Sequence, residues 1–131
     1  MLDQVGSWPS EWLRGLMELC VLRVIADGPT YGYAIAAVLE RAGLGNPKGG
    51  TLYPLLGRLE QASWVRATWA AGDGGPGRKF YELTATGRDQ FDRMRPVWSG
   101  FAAAVSRHLE EASMPGEDFF VATDPEGVHR V

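Results

Sequence analysis

The stretch GGTLYPLLGRLEQASWV, residues 49–65, decides how this chain is read. It has the pattern of a short helix with a small, polar first turn and an apolar body, followed at once by a tryptophan-bearing strand. Leu52, Leu55, Leu56 and Leu59 recur at the spacing that places them on one helix face. Gly49, Gly50, Thr51 and Tyr53 leave the N-terminal end uncluttered. Such an end can offer backbone N–H groups and compact side chains to a phosphate or a base edge. Pro54 is expected in the first turn, where a missing N–H matters little. A DNA recognition helix has this form. So does an ordinary amphipathic helix after a glycine turn, and the flanking sequence has to separate the two.

Upstream, two further helices are expected. Ser10 is a candidate N-cap, with Glu11 in the first turn where negative charge is favoured. Trp12, Leu13, Leu16, Met17, Leu19, Cys20, Val24 and Ile25 then recur at helical spacing as far as the Asp27-Gly28-Pro29 stop, which predicts one helix. Val21 and Leu22 widen its stripe, so one side is expected to face the core and another a partner chain. Thr30 is a candidate cap for a second helix with Ile35, Val38 and Leu39 on its apolar face and Gly43 at its end. Tyr31 and Tyr33 are expected to pack in the core where that helix starts. Residues 44–50, LGNPKGG, form a connector of turn residues.

Downstream, WVRATW (64–69) and RKFYEL (78–83) have strand composition. The intervening AAGDGGPG (70–77) reads only as a loop, which makes a β-hairpin with Arg78 and Lys79 at its base. Trp64 and Trp69 are expected to cover the junction of hairpin and core. Thr84 opens a long fourth helix whose apolar positions include Phe91, Met94, Trp98, Phe101, Val105 and Leu109. Pro96 inside it predicts a bend. Three helices and a hairpin make a winged helix-turn-helix, a mainly α, α+β fold. A final helix too long to pack fully on so small a domain signals a homodimer. The expected organisation is an N-terminal arm at 1–9, a winged domain at 10–84, a dimerisation helix at 85–113 and an irregular tail at 114–131.

Composition narrows the function. The single cysteine, Cys20, excludes an intramolecular disulfide and lies in an apolar run, as a buried, inert thiol would. No apolar run approaches the ~20 residues of a membrane span, and the N-terminus lacks the basic start of a signal peptide, so a cytoplasmic address and no membrane partner are expected. His108 and His129 are far apart with no acid at ligand spacing, so no metal and no cofactor is expected. No nucleophile elbow, phosphate loop or convergent His–acid pair is present, so the chain is not expected to be an enzyme. Net charge is −3, yet residues 46–84 hold Lys48, Arg58, Arg66, Arg78 and Lys79 against three acids. Positive charge therefore collects around the recognition-like helix and the hairpin.

Four stretches together resemble the PadR-type transcriptional regulators: LRGLMEL (13–19), YGY (31–33), GTLYPLLGRLE (50–60) and GGPGRKFYELTATGR (74–88). The resemblance spans roughly residues 10–90. It implies a dimeric winged-helix repressor that binds a palindromic operator in double-stranded DNA and is released by a small aromatic or hydrophobic effector. It further implies that the start of the third helix enters the major groove. Thr51 and Tyr53 would then meet bases or phosphates, with Lys48 just ahead of them, while Arg78 and Lys79 of the wing lie against the backbone; Gly50, Arg58 and Arg66 complete the candidate DNA-binding set. This division is physically sound, because phosphate contacts position a protein and only base contacts read sequence.

Some family members place a tryptophan near the twofold axis, where Trp98 stands here. Trp12, Phe91, Met94, Trp98 and Phe101 are therefore the candidate effector and dimer-interface set. The chain departs from the family at Gly57, where many relatives carry an arginine, and in the looser NPKG connector (46–49). The alternative is a winged-helix module that binds small molecules or proteins without touching DNA directly.

Overall fold

The computed structural model describes residues 8–71 and 77–111. The tail at 114–131, most of the arm at 1–9 and the centre of the hairpin loop lie outside the described residues. The elements are α1 (Ser10–Arg14), α2 (Met17–Ile25), β1 (Thr30–Tyr31), α3 (Gly32–Arg41), α4 (Gly49–Gln61), β2 (Val65–Ala70), β3 (Arg78–Leu83) and α5 (Ala85–Glu111). The chain divides into two compact units, residues 1–94 and 95–131, and α5 begins in the first and ends in the second. The fold is the expected mixture of helices with a small antiparallel sheet and a long C-terminal helix.

The expected first helix is two. Pro9, with φ −57° and ψ 135°, occupies the cap position of α1 in place of Ser10, which is already helical. The chain breaks at Gly15-Leu16, where Leu16 N–H donates to the Leu13 carbonyl at 2.9 Å. The physical reason is burial. α1 buries no residue fully and leans on the core only through the partly buried Leu13, whereas α2 buries Met17, Val21, Leu22, Val24 and Ile25, so packing holds the second segment far more firmly.

Thr30 is likewise not a helix cap. Thr30 and Tyr31 pair with Tyr81 and Phe80 of β3, which turns the expected two-stranded hairpin into a three-stranded sheet of order β1-β3-β2. Without this pairing β3 would present an unpaired edge. The β2–β3 register runs from Val65↔Leu83 to Ala70↔Arg78, one residue later at each end of β2 than the composition suggests.

One core serves this unit. Val21, Leu22 and Ile25 of α2, Ile35 and Leu39 of α3, and the four leucines of α4 close over Val65, Tyr81 and Phe91. Each fully buried leucine contributes about 1.5–3 kcal/mol relative to exposure. Cys20 is half-buried, and desolvation pushes its thiol above the ordinary range, which disfavours the reactive thiolate. Gly43, at φ +80°, ends α3 with Leu44 N–H donating back to the Leu39 carbonyl at 2.9 Å. Ser63 plays the same part after α4 at φ 65°, a left-handed position more usually given to glycine.

The Ser63 turn also fastens α5. The Thr84 hydroxyl donates to the Ser63 carbonyl at 2.6 Å and accepts the Gly87 N–H at 3.0 Å, capping the helix. Gly87 lies against the Trp64 carbonyl so closely that a Cβ there would collide with backbone. Arg88 reaches the Ala26 carbonyl at 3.0 Å, tying the start of α5 to the end of α2. Pro96 stands inside α5, which runs past it to Glu111. In the second unit Val97, Trp98, Phe101, Val105 and Leu109 are all exposed, at four-residue and neighbouring spacing along one stripe. No helix among the described residues is long and apolar enough to cross a membrane.

Candidate nucleic-acid interface

α4 buries Leu52, Leu55, Leu56 and Leu59 and turns its remaining positions outward. Lys48 occupies the cap position in extended backbone, and its carbonyl accepts the Thr51 and Leu52 N–H groups at 2.9 Å. No side chain among the described residues caps this helix, and its first turn holds no acid. The N–H groups of Gly49 and Gly50, ahead of those two bonds, and the partial positive charge of this end are thus open to an anion. Lys48, Gly50 and Thr51 are exposed, and a Cβ at Gly50 would meet nothing within 4 Å. Pro54 is the sixth residue of α4, a turn later than expected, so it withdraws the donor that the Gly50 carbonyl would otherwise receive.

Tyr53 is 53% exposed, but its ring is not free. Its phenol tip lies against Gly32 at the start of α3. A Cβ at Gly32 would stand 2.7 Å from Tyr53 Cζ, and one at Gly49 would stand 3.5 Å from Cδ2. Gly32 is therefore required for this placement, since no L side chain fits beneath the phenol.

The wing approaches from the other side. The Arg78 guanidinium stacks on the Tyr31 ring at 4.3 Å, and Tyr31 meets Phe80 edge-on with centroids 5.4 Å apart. The remaining basic residues expected on this face are engaged by carboxylates: Lys79 with Glu60 at 3.3 Å, Arg66 with Glu82 at 3.2 Å, and Arg58 with Glu18 at 3.7 Å. Among the described residues, Lys48 and Arg78 are the cations of the expected set without an acidic partner. A cleft of about 530 Å³ lies between α4 and the wing, lined by Tyr31, Tyr53, Gly57, Trp69, Arg78 and Tyr81 among others. Burial raises the Tyr81 pKa, Lys79 pulls it down and Glu60 and Tyr53 add to the rise, so the phenol keeps its proton.

Several expectations change. Tyr33 is 80% exposed, because helix α3 turns position 33 away from Ile35 and Leu39. Trp69 is 69% exposed near the far end of β2, beyond the reach of the core, whereas Trp64 does pack against it. Phe91 is withdrawn from the candidate effector set. It lies on the first turns of α5, which close the winged unit's core, and is only 3% exposed. Trp12 is exposed on α1, and Met94 is half-buried. Trp98 and Phe101 form a tilted aromatic pair with centroids 6.1 Å apart. Tyr31, Gly32 and Trp69 line the cleft beside Tyr53 and Arg78, a position that depends on the β1–β3 pairing and the fold of the wing and that the sequence reading did not give them. No group of three His, Cys, Asp or Glu among the described residues is placed to hold a metal ion.

This arrangement has many counterparts. The model of the transcriptional regulator PadR-like family matches residues 21–93, more than half of the chain. A PadR family transcriptional regulator from Eggerthella lenta is 31% identical, covers 77% of this chain and 88% of its own, and superposes with a TM-score of 0.70. A PadR-like transcriptional regulator from Bacillus cereus is 30% identical, with coverages of 82% and 99% and a TM-score of 0.68. A 37.1 kDa transposon protein from Streptomyces fradiae is 33% identical over 100 residues, which is 76% of this chain and 27% of that protein. The family is one of regulators rather than enzymes. On fold, motif order and these matches, the chain belongs to the PadR-like family of transcriptional regulators.

Proposed function

We propose that the protein is a homodimeric repressor that reads a palindromic operator with α4 and steadies itself on the backbone with the wing. The observation that carries this reading is the uncapped, acid-free start of α4, with Lys48, Gly50, Thr51 and Tyr53 exposed and Arg78 without an acidic partner among the described residues. Lys48, the α4 N-terminus and Arg78 engage phosphates. Gly50 permits close approach, and the hydroxyls of Thr51 and Tyr53 meet base edges. Arg58, Arg66 and Lys79 make secondary contacts, since each must first loosen its carboxylate.

The partner chain is a second copy. The stripe Val97, Phe101, Val105 and Leu109 is exposed, and a helix that shows such a face gains by burying it against itself. Two symmetric α4 helices then address half-sites about one DNA turn apart, ~34 Å. The Trp98–Phe101 pair supplies aromatic surface for a flat effector that releases the operator. A cytoplasmic address is inferred from that DNA partner.

The test is fluorescence anisotropy of the full chain on the DNA upstream of its own gene against random duplex, since such regulators commonly control their own operons. Binding at least about 10³-fold tighter to the upstream DNA supports the reading. Equal affinity for both duplexes sinks it and leaves the winged-helix module that does not touch DNA directly.

A further inference from the structure

We propose that the segment ahead of α2 is a strap that holds the connector into α4, and that Trp8 is thereby a positioning residue for the reading of DNA. The connector has little of its own to fix it. Gly43 and Gly45 stand at φ +80° and +90°, backbone that glycine adopts freely and other residues only at a cost. The Leu44 N–H closes the end of α3 on the Leu39 carbonyl, and the Lys48 carbonyl accepts the Thr51 and Leu52 N–H groups at the start of α4. Between these ends, residues 45–47 make no backbone–backbone hydrogen bond among the described residues. Side chains that read base edges must be held to within about 0.5 Å, so something outside the connector has to set it.

Three contacts do so. The Trp8 indole Nε1–H donates to the Gly43 carbonyl at 3.1 Å, across 35 positions of sequence. Leu13 covers Gly45, where an added Cβ would meet Leu13 Cδ1 at 3.8 Å, ordinary van der Waals contact. From the other side, Asn46 Nδ2 donates to Glu40 Oε1 at 2.9 Å. Two of the three come from the segment around α1, which has only five helical residues and buries none of them fully. So short a helix is not stable by itself, and its anchor points are Leu13 and the Trp8 bond. Trp8 is half-exposed, so its ring adds little to the core and its indole N–H fixes where it sits. Losing that bond should free the connector and leave the core intact. The strap stands on these contacts alone, whereas the positioning role rests on the function proposed above.

The experiment is hydrogen exchange by NMR on the full chain without DNA, followed by anisotropy on the upstream and random duplexes. In the unaltered protein, the indole N–H signal that vanishes in Trp8→Phe should exchange at least about threefold more slowly than that of the exposed Trp12. Trp8→Phe keeps a ring and removes the donor. Exchange at the Leu44, Thr51 and Leu52 amides should then quicken about 3–10-fold, with Ile35 and Leu56 in the core unchanged. On DNA, the variant's preference for the upstream duplex over the random one should fall about 3–10-fold. Its affinity for random duplex, which phosphate contacts supply, should stay within about twofold. An unprotected Trp8 indole, or unchanged exchange at 44, 51 and 52, overturns the strap. That first measurement needs no variant to fold. Quickened exchange throughout the core, or equal weakening on both duplexes, makes Trp8 a general stabiliser and overturns the positioning role. If the unaltered protein prefers neither duplex, the repressor reading fails and the positioning role with it, while the exchange data still decide the strap.

Discussion

The pairing of the wing cations makes a quantitative prediction about salt. Arg78 rests on Tyr31 with no carboxylate among the described residues beside it, while Lys79 faces Glu60 at 3.3 Å. Each phosphate contact contributes about 0.9 to the slope of log affinity against log salt, so Arg78→Gln in a symmetric dimer lowers that slope by about 1.8. If the two proteins converge near 1 M salt, where the electrostatic contribution vanishes, the variant binds about 60-fold more weakly at 0.1 M. The loss should be the same on operator and random duplex, because a phosphate contact carries no sequence information. Lys79→Gln should flatten the slope much less, since its charge is already largely answered by Glu60. Glu60→Gln should do the reverse, steepening the slope and tightening binding as Lys79 is released. Anisotropy titrations over roughly 50–300 mM salt read all three. The fold is little affected, because the lost cation–π stack contributes about 0.5–1 kcal/mol and a thermal melt checks it. The reasoning is refuted if Lys79→Gln flattens the slope as much as Arg78→Gln, or if Glu60→Gln leaves it unchanged.

Three further outcomes are expected. Tyr53→Phe removes a hydroxyl from the proposed base-reading face while keeping the ring over Gly32, so discrimination between operator and random DNA should fall. Equal losses on both would deny it that role. Thr84→Ala removes both the cap to Gly87 and the bond to the Ser63 carbonyl, and should lower stability by about 1–3 kcal/mol. Urea titration would show this as a lower midpoint at unchanged slope, and an unchanged midpoint would mean the junction is held elsewhere. Phe101→Asp sets a charge in the exposed apolar stripe of α5 and should shift sedimentation toward the monomer. A dimer of undiminished affinity would place the subunit contact on another surface.

Much of this could be read from residue order. The leucines of α4 declare their buried face by spacing alone, and the glycine-rich loop between two aromatic, β-branched segments declares the wing. These signals are local, so no partner is needed to see them. The strand at Thr30-Tyr31 was not legible, because a two-residue strand has no periodicity and exists only through its pairing with Phe80 and Tyr81. The break at Gly15-Leu16 was hidden for a related reason. The helical pattern of apolar residues runs through it, and only packing reveals that the part before it touches the core through Leu13 and buries no residue fully.

The stretch 49–65 by itself determined that α4 is amphipathic, that its N-terminus is small and open, and that a strand follows. What it could not determine is which side chains on that face are available. Tyr53 rests in space left open by a glycine 21 positions earlier, and three of the five basic residues in the segment 46–84 are answered by Glu18, Glu60 and Glu82. Only tertiary structure brings those acids within reach. Local patterning follows from the 3.6- and 2-residue periods of the backbone, whereas the availability of a charge or a ring depends on neighbours that the chain supplies from far away.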